Sequence, residues 1–122
     1  MFSRLFPAIA IFAAAVSAAA ASESEFGKNG GQQTHAGDYH VEAVPSGNTL
    51  TVYMTDHDEK SVSTKGFRGT AILVVDGKPQ RITLAPQGEN RLVGTSAVPL
   101  KAPIRGAIQI VVDGKTTLNA KF

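Results

Sequence analysis

Several residue types that build common functional sites are missing from this sequence. There is no Cys among the 122 residues, which excludes disulfides, Cys-based zinc sites, iron–sulfur clusters and a thiol nucleophile. There is also no Trp, and the charge is nearly balanced, with 12 Lys and Arg against 10 Asp and Glu. A protein that binds nucleic acid through phosphate contacts needs clustered Lys and Arg, so this composition argues against that class.

The first 21 residues have the pattern of a secretory signal peptide. A short segment with one cation, Arg4, precedes an apolar run at 5–15, and small residues ending at Ala21 provide a cleavage site. An uncleaved membrane anchor is the alternative, but the apolar stretch is rich in Ala and interrupted by Pro7. We therefore predict a signal peptide at 1–21, export to a bacterial periplasm, and no stable membrane anchor after cleavage.

The remaining chain divides into a Gly-rich segment and a strand-rich domain. Residues 22–37 are polar and have no apolar period, so we expect a flexible N-terminal arm there. Residues 38–122 contain short segments rich in Val, Ile and Thr, separated by turn signals such as Asp76-Gly77. The expected fold of 38–122 is all-β, a seven-stranded immunoglobulin-like β-sandwich, and closure of one up-and-down sheet is the alternative. The predicted strands are Tyr39–Val44, Thr49–Thr55, Gly69–Val75, Gln80–Ala85, Arg91–Val98, Gly106–Val112 and Thr116–Phe122.

Two of these strands, Gly69–Val75 and Gly106–Val112, are apolar at consecutive positions. We therefore predict central strands that are covered on both faces or cross the core. Both lead into the same five residues, Val-Val-Asp-Gly-Lys, which begin at Val74 and at Val111. Convergence of two hairpins on one turn chemistry is favoured here over an internal duplication. The predicted core residues are Ile72, Val74, Ile82, Leu84, Ile108, Ile110, Leu118 and Phe122.

All three His residues lie between positions 35 and 57. His35, His40 and His57 are accompanied by an acidic segment at 56–59. Imidazole and carboxylate groups together suit a divalent transition metal, and Met54 would add a soft ligand that favours copper. The sequence therefore indicates a candidate site for copper, nickel or zinc around the first hairpin.

The register of that hairpin predicts which of these residues meet. If residues 45–48 form the turn, His35 lies opposite Asp58, and His40 is roughly 13 Å from the level of His57. One ion cannot bind both His40 and His57 in a regular ladder, so His40 joins only if the ladder bulges. The candidate ligands are therefore His35 and His57 with a carboxylate from Asp56 or Asp58, and with His40 as the additional residue.

Structural roles compete with metal binding for the same residues. The segment 56–59 also has the composition of a polar turn in which Asp56 caps its own backbone. His40 beside Tyr53 is typical of a solvated cross-strand pair, and Met54 is typical of a core residue. His35 lies in a Gly-rich segment where folding requires no His, so a ligand or transport role competes more strongly with a structural role here than at the other two His residues.

Three segments together resemble a known family. Asn29–Gly31, Ala36–Glu42 and Thr51–Val62 are similar to the small accessory β-sandwich module of periplasmic adaptor subunits in heavy-metal efflux systems, a module that also occurs alone. The resemblance implies a periplasmic, non-enzymatic domain that captures a metal ion or hands it to an efflux adaptor, with His35, His40 and His57 as the positions involved. The chain departs from that pattern where Gln32–Gln33 follows the Gly pair.

Two functions are therefore expected to compete. The first is weak binding of a transition-metal ion by an exported domain that supports heavy-metal efflux or tolerance. The second is a non-catalytic interaction module that docks another periplasmic subunit without a metal. A hydrolase is not expected, because no Ser lies in a Gly-x-Ser-x-Gly motif and no Gly-rich phosphate loop precedes a helix.

Overall fold

The computed structural model describes residues 25–122, and these form one antiparallel sheet of nine strands. The signal peptide predicted at 1–21 lies outside the described residues. Within 25–122 there is no helix with the length and hydropathy that a membrane crossing requires. The all-β prediction is confirmed. The strands are β1 (Glu25–Phe26), β2 (Gln32–Ala36), β3 (Tyr39–Ser46), β4 (Thr49–Asp56), β5 (Arg68–Val75), β6 (Lys78–Pro86), β7 (Arg91–Thr95), β8 (Gly106–Val111) and β9 (Thr117–Lys121).

The strand order differs from that of a seven-stranded immunoglobulin-like sandwich. The order is β1-β2-β3-β4-β7-β6-β5-β8-β9, and every neighbouring pair is hydrogen-bonded. Strand β6 joins the two halves, because its segment 78–84 pairs with β5 whereas Ala85 and Pro86 pair with β7. The seven predicted strands are present as β3 to β9, but one continuous ladder links them, and two further strands precede them.

The two ends of the ladder approach each other, so the sheet is nearly closed. The side-chain amide of Gln32 in β2 donates to the backbone oxygen of Ile104 and accepts from its nitrogen, as a neighbouring strand would. At the other end of β2, a Cβ built on Gly37 would lie 2.8 Å from Cδ2 of Leu118 in β9. The first and last long strands are therefore neighbours across one seam.

The segment predicted to be a flexible arm is instead part of the sheet over the residues that the structure describes. Strand β2 pairs with β3 from Gln32 opposite Ala43 to Ala36 opposite Tyr39. The connecting turn is Gly37-Asp38, and Gly37 has a φ of +58°, which suits the first central position of a type II′ turn. A two-residue turn therefore folds β2 back onto β3.

One face of the sheet forms the core. The predicted core positions Ile82, Leu84, Ile108, Ile110 and Leu118 are buried, as predicted. The predictions for Ile72 and Val74 are wrong: their side chains are 46% and 51% exposed, and Ala71 and Leu73 are buried instead. Strand β5 is thus covered on one face only, because its pairing sets Ala71 opposite the buried residues Ile82 and Ile108.

The two Val-Val-Asp-Gly-Lys segments adopt different turns. At the first, Asp76 and Gly77 have φ values of +51° and +79°, the type I′ pattern, and Val75 pairs directly with Lys78. At the second, Val111 pairs with Thr117, so the loop between the strands is longer. Within this loop, Oδ1 of Asp113 accepts hydrogen bonds from the backbone nitrogens of Lys115 and Thr116. The two identical five-residue sequences therefore do not form a structural repeat.

Candidate functional site

The candidate site is a pair of stacked His rings on the outer face of the β2–β3 hairpin. His35 in β2 lies directly opposite His40 in β3. Their ring centroids are 4.3 Å apart and the ring planes differ by 16°. Side chains of directly opposed residues in an antiparallel pair project from Cβ atoms only about 5 Å apart, so the two imidazoles meet without distortion of the backbone.

Gln33 positions the ring of His40. The side-chain amide nitrogen of Gln33 lies 3.2 Å from Nδ1 of His40, and Gln33 is buried. If the amide donates to Nδ1, the proton of the neutral imidazole is on Nε2. A half-turn of the amide would let its oxygen accept from an Nδ1–H, which frees Nε2 for an ion. Gln33, which sequence analysis did not single out, therefore supports either tautomer.

A buried carboxylate holds the chain segment that precedes β2. Glu42 in β3 is 4% exposed, and its two oxygens accept hydrogen bonds from the backbone and side chain of Asn29 and from the backbone of Gly31, at 2.8–3.0 Å. Glu42 lies on the outer face of β3, where the 27–31 turn covers it, so this carboxylate fixes the turn that delivers β2 to its position.

Asp56 stabilises the turn that follows β4. Its Oδ1 accepts hydrogen bonds from the backbone nitrogens of Asp58 and Lys60 at 2.9 and 3.0 Å. These bonds, that of Lys60 foremost, lower the pKa of Asp56 below its ordinary value. The polar-turn interpretation of 56–59 thus describes the geometry observed, and Asp56 Oδ1 is engaged within its own turn.

His57 lies apart from the stacked pair. It is exposed in the turn after β4, and its Nδ1 is 3.4 Å from the backbone oxygen of Asp38, at the tip of the β2–β3 hairpin. The difference from the prediction has two causes. The chain reverses at Gly37-Asp38, which carries His35 back to His40 instead of onward to Asp58. Ser46 also pairs with Thr49 around a two-residue turn, so every β3–β4 pair is shifted by two residues from the predicted register.

The predicted ligands therefore do not form one cluster. Among residues 25–122, no group of three or more His, Asp or Glu side chains is arranged to hold a metal ion. The structure brings together His35 and His40, which the predicted register kept apart. Gly37-Asp38 is a two-residue hairpin signal and is the sequence feature that points to this pairing, although residues 32–36 do not have the composition of a strand.

The larger surface depressions lie away from the His pair. One, of about 510 Å³, is lined by polar residues of the 61–66 and 88–90 loops. The other, of about 520 Å³, is apolar and is lined by Phe26, Val44, Pro45 and Pro103. The imidazoles are therefore on an open strand surface rather than in a cavity.

No protein-family model, curated protein or solved structure matches this chain. The resemblance to the accessory module of heavy-metal efflux adaptors stays a prediction for this reason. Only the geometry of the described residues bears on function.

The Asp56 turn gives a pH-dependent prediction. A carboxyl group whose pKa is lower in the folded state contributes stability above its unfolded pKa, and this contribution is lost as pH falls through the folded value. We expect Asp56→Asn to lower the Tm at about pH 7 and to have a much smaller effect at about pH 2.5. Thermal denaturation of both proteins across this range measures the difference. Asp58→Asn, at an exposed position in the same turn, is the control, and an Asp56→Asn effect independent of pH would contradict the prediction.

Proposed function

We propose that this protein is a non-catalytic, exported metal-binding protein that holds a divalent transition-metal ion through His35 and His40. The observation that carries the proposal is the direct opposition of the two imidazoles, with ring centroids 4.3 Å apart. Neutral imidazole is a good ligand for copper, nickel and zinc. Of these, Cu²⁺ is expected to bind most tightly, because divalent affinities rise to copper and then fall.

Binding requires a small movement of the two side chains. Stacked rings present their nitrogens side by side, so each must turn about χ2 before both lone pairs point at one ion. The ring of His35 is exposed and can turn freely, whereas His40 is half-buried and held by Gln33. His40 is therefore the more restrained ligand, which offers Nε2 once the Gln33 amide has turned so that its oxygen accepts from Nδ1–H, and His35 makes the larger movement towards the ion.

Two protein ligands support only weak binding. An ion held by two imidazoles keeps most of its coordination positions for water, and we expect a Kd weaker than about 1 µM, or about −8 kcal/mol. A weakly held and exposed ion exchanges readily. This property suits the role inferred from the family resemblance, in which a periplasmic carrier passes metal to an efflux adaptor and so supports metal tolerance.

Isothermal titration with Cu²⁺ in a non-coordinating buffer tests the proposal. We expect His35→Ala and His40→Ala each to weaken binding at least about tenfold, which is about 1.4 kcal/mol. His57→Ala is the matched control, because it removes an imidazole from the neighbouring turn, and we expect it to bind as the unaltered protein does.

Two results would contradict the proposal. One is equal loss of Cu²⁺ binding in all three single variants, which would indicate scattered binding to surface imidazoles. The other is unchanged binding by the His35→Ala/His40→Ala double variant with its fold confirmed by circular dichroism.

A further inference from the structure

The outer face of the second half of the sheet carries charge of one sign only. Strands β6, β5, β8 and β9 lie side by side, and their outward side chains are solvent-exposed or half-exposed. Among the described residues, the outward positions of these four strands carry three cations, Arg68, Arg81 and Lys121, and no Asp or Glu, although the whole chain is nearly neutral. Arg105, directly before β8, adds a fourth cation at the edge of this surface, and Asp76 directly follows β5. We call the surface, together with Arg105, the cationic face.

The centre of the cationic face is apolar. Ile72 and Val74 project from β5 and are 46% and 51% exposed. Arg81 lies opposite Ile72 on β6, and Arg105, whose backbone oxygen accepts from the nitrogen of Val74, lies on the other side. Ile72 and Val74, the two positions where the core prediction was wrong, therefore lie between Arg81 on one side and Arg105 on the other.

The same face contains a shallow depression suited to an anionic group. It has a volume of about 180 Å³, and its polar lining includes Arg68, Thr70, Thr83 and Gln109. All four side chains can donate hydrogen bonds, and none carries negative charge. Thr70 in its lining is two residues before Ile72 in β5, so the depression adjoins the apolar centre of the face. The acidic residues that follow these strands most closely in the sequence are Asp76 after β5 and Asp113 after β8. They lie in the turns at the two ends of the face.

We propose that the cationic face binds the surface of a bilayer that contains anionic phospholipid. Cations attract the phosphate headgroups, and Ile72 and Val74 enter the boundary with the acyl chains. The inference is independent of metal binding, because it involves the opposite half of the sheet.

The dimensions and composition of the face favour a bilayer over other anionic partners. Four strands span about 14 Å, and the distance from Arg68 to Val74 is about 20 Å along the strand. The resulting area of about 280 Å² is well below the 800 Å² or so that each partner buries in a stable protein complex. Single-stranded nucleic acid binds through stacking on aromatic side chains, and the outward positions of these strands carry none.

Co-sedimentation with vesicles tests the proposal. The exported protein is incubated with vesicles of phosphatidylglycerol and phosphatidylcholine, or of phosphatidylcholine alone. The N terminus is determined by mass spectrometry, because the apolar run at 5–15 would bind either vesicle if retained. We expect binding only to anionic vesicles, and we expect it to decrease with added salt. Arg81→Gln/Arg105→Gln should lower partitioning about 25-fold, since one cation near an anionic surface is worth about fivefold.

A matched variant separates this face from general charge attraction. Lys65→Gln/Lys115→Gln removes the same charge from exposed loop positions and should bind as the unaltered protein does. Ile72→Ser/Val74→Ser should weaken binding to the anionic vesicles without a change in net charge. Equal loss in the two charge variants would overturn the proposal. So would a lack of vesicle binding, including the case in which an acidic peptide or inorganic phosphate binds this face instead.

Discussion

Replacing Gly106 with Ala is expected to destabilise the protein by about 2–6 kcal/mol, which is a large part of the stability of a domain of this size. Gly106 begins β8 with a φ of +140°, a conformation that L residues rarely adopt. A Cβ added there would lie 2.1 Å from the backbone oxygen of Ile72 in the neighbouring strand. Because that oxygen belongs to a paired strand, β5 and β8 must separate to admit the methyl group. Urea denaturation followed by circular dichroism measures the loss.

Gly47→Ala provides the control for the backbone contribution. Gly47 also has a positive φ, +59°, but a Cβ there would meet no atom within 4 Å. We expect this variant to lose only about 1–2 kcal/mol, the cost of the left-handed conformation itself. Equal losses in the two variants would show that the close approach of β5 to β8 contributes little.

Replacing Glu42 with Gln is expected to cost about 2–4 kcal/mol and to release the 27–31 turn. The buried carboxylate accepts three hydrogen bonds, two of them from the backbone nitrogens of Asn29 and Gly31. An amide of the same shape keeps one acceptor oxygen and directs an NH₂ group at a donor. With the amide oxygen on the two backbone N–H groups, which both donate to Oε2 of Glu42, the NH₂ group faces the side-chain amide of Asn29, and the charge that strengthened all three bonds is removed.

Hydrogen exchange locates this effect, and Glu89→Gln is its control. We expect faster exchange at the amides of Asn29 and Gly31 and in β2, and slow exchange preserved in β5 and β8. Glu89 is exposed, so the same change of charge there should leave both the stability and the exchange pattern unaltered. Unchanged exchange at Asn29 and Gly31 in Glu42→Gln would show that the carboxylate does not hold the turn.

The alternation of apolar and polar residues, together with the turn residues, predicts the bounds of β3 to β9 to within a few residues, but it does not predict β2. Its residues, Gln-Gln-Thr-His-Ala, contain few β-branched or aromatic side chains, and pairing with β3 rather than local propensity makes them a strand. The hairpin register was wrong by two residues because Pro45 was assigned to the turn. Pro45 lies opposite Leu50, beyond the level of Gln32, the first residue of β2, so no strand on that side requires its missing N–H.

The composition of a short apolar run cannot show which of its residues face the core. In Gly69–Val75, only the pairing of Ala71 with Ile108 determines that Ile72 and Val74 point outward. The His pair shows the same dependence on distant information. Three His residues within 23 positions suggest a site, but His35 meets His40 only because Gly37 permits a two-residue turn. Composition thus indicates the region of the candidate site, and pairing selects the residues.

The seam between β2 and β9 has a consequence for how the chain reaches its folded state. Its two sides are contributed by residues 32–36 and 117–121, which are among the most widely separated segments of the described chain. Contacts between segments so distant form late, because a large loss of chain entropy precedes them, and sheets of this kind fold in milliseconds to seconds. During synthesis the seam cannot form until the last strand has left the ribosome. The last step of folding therefore joins the two ends of the ladder, and it waits for β9 even when the other strands have already paired.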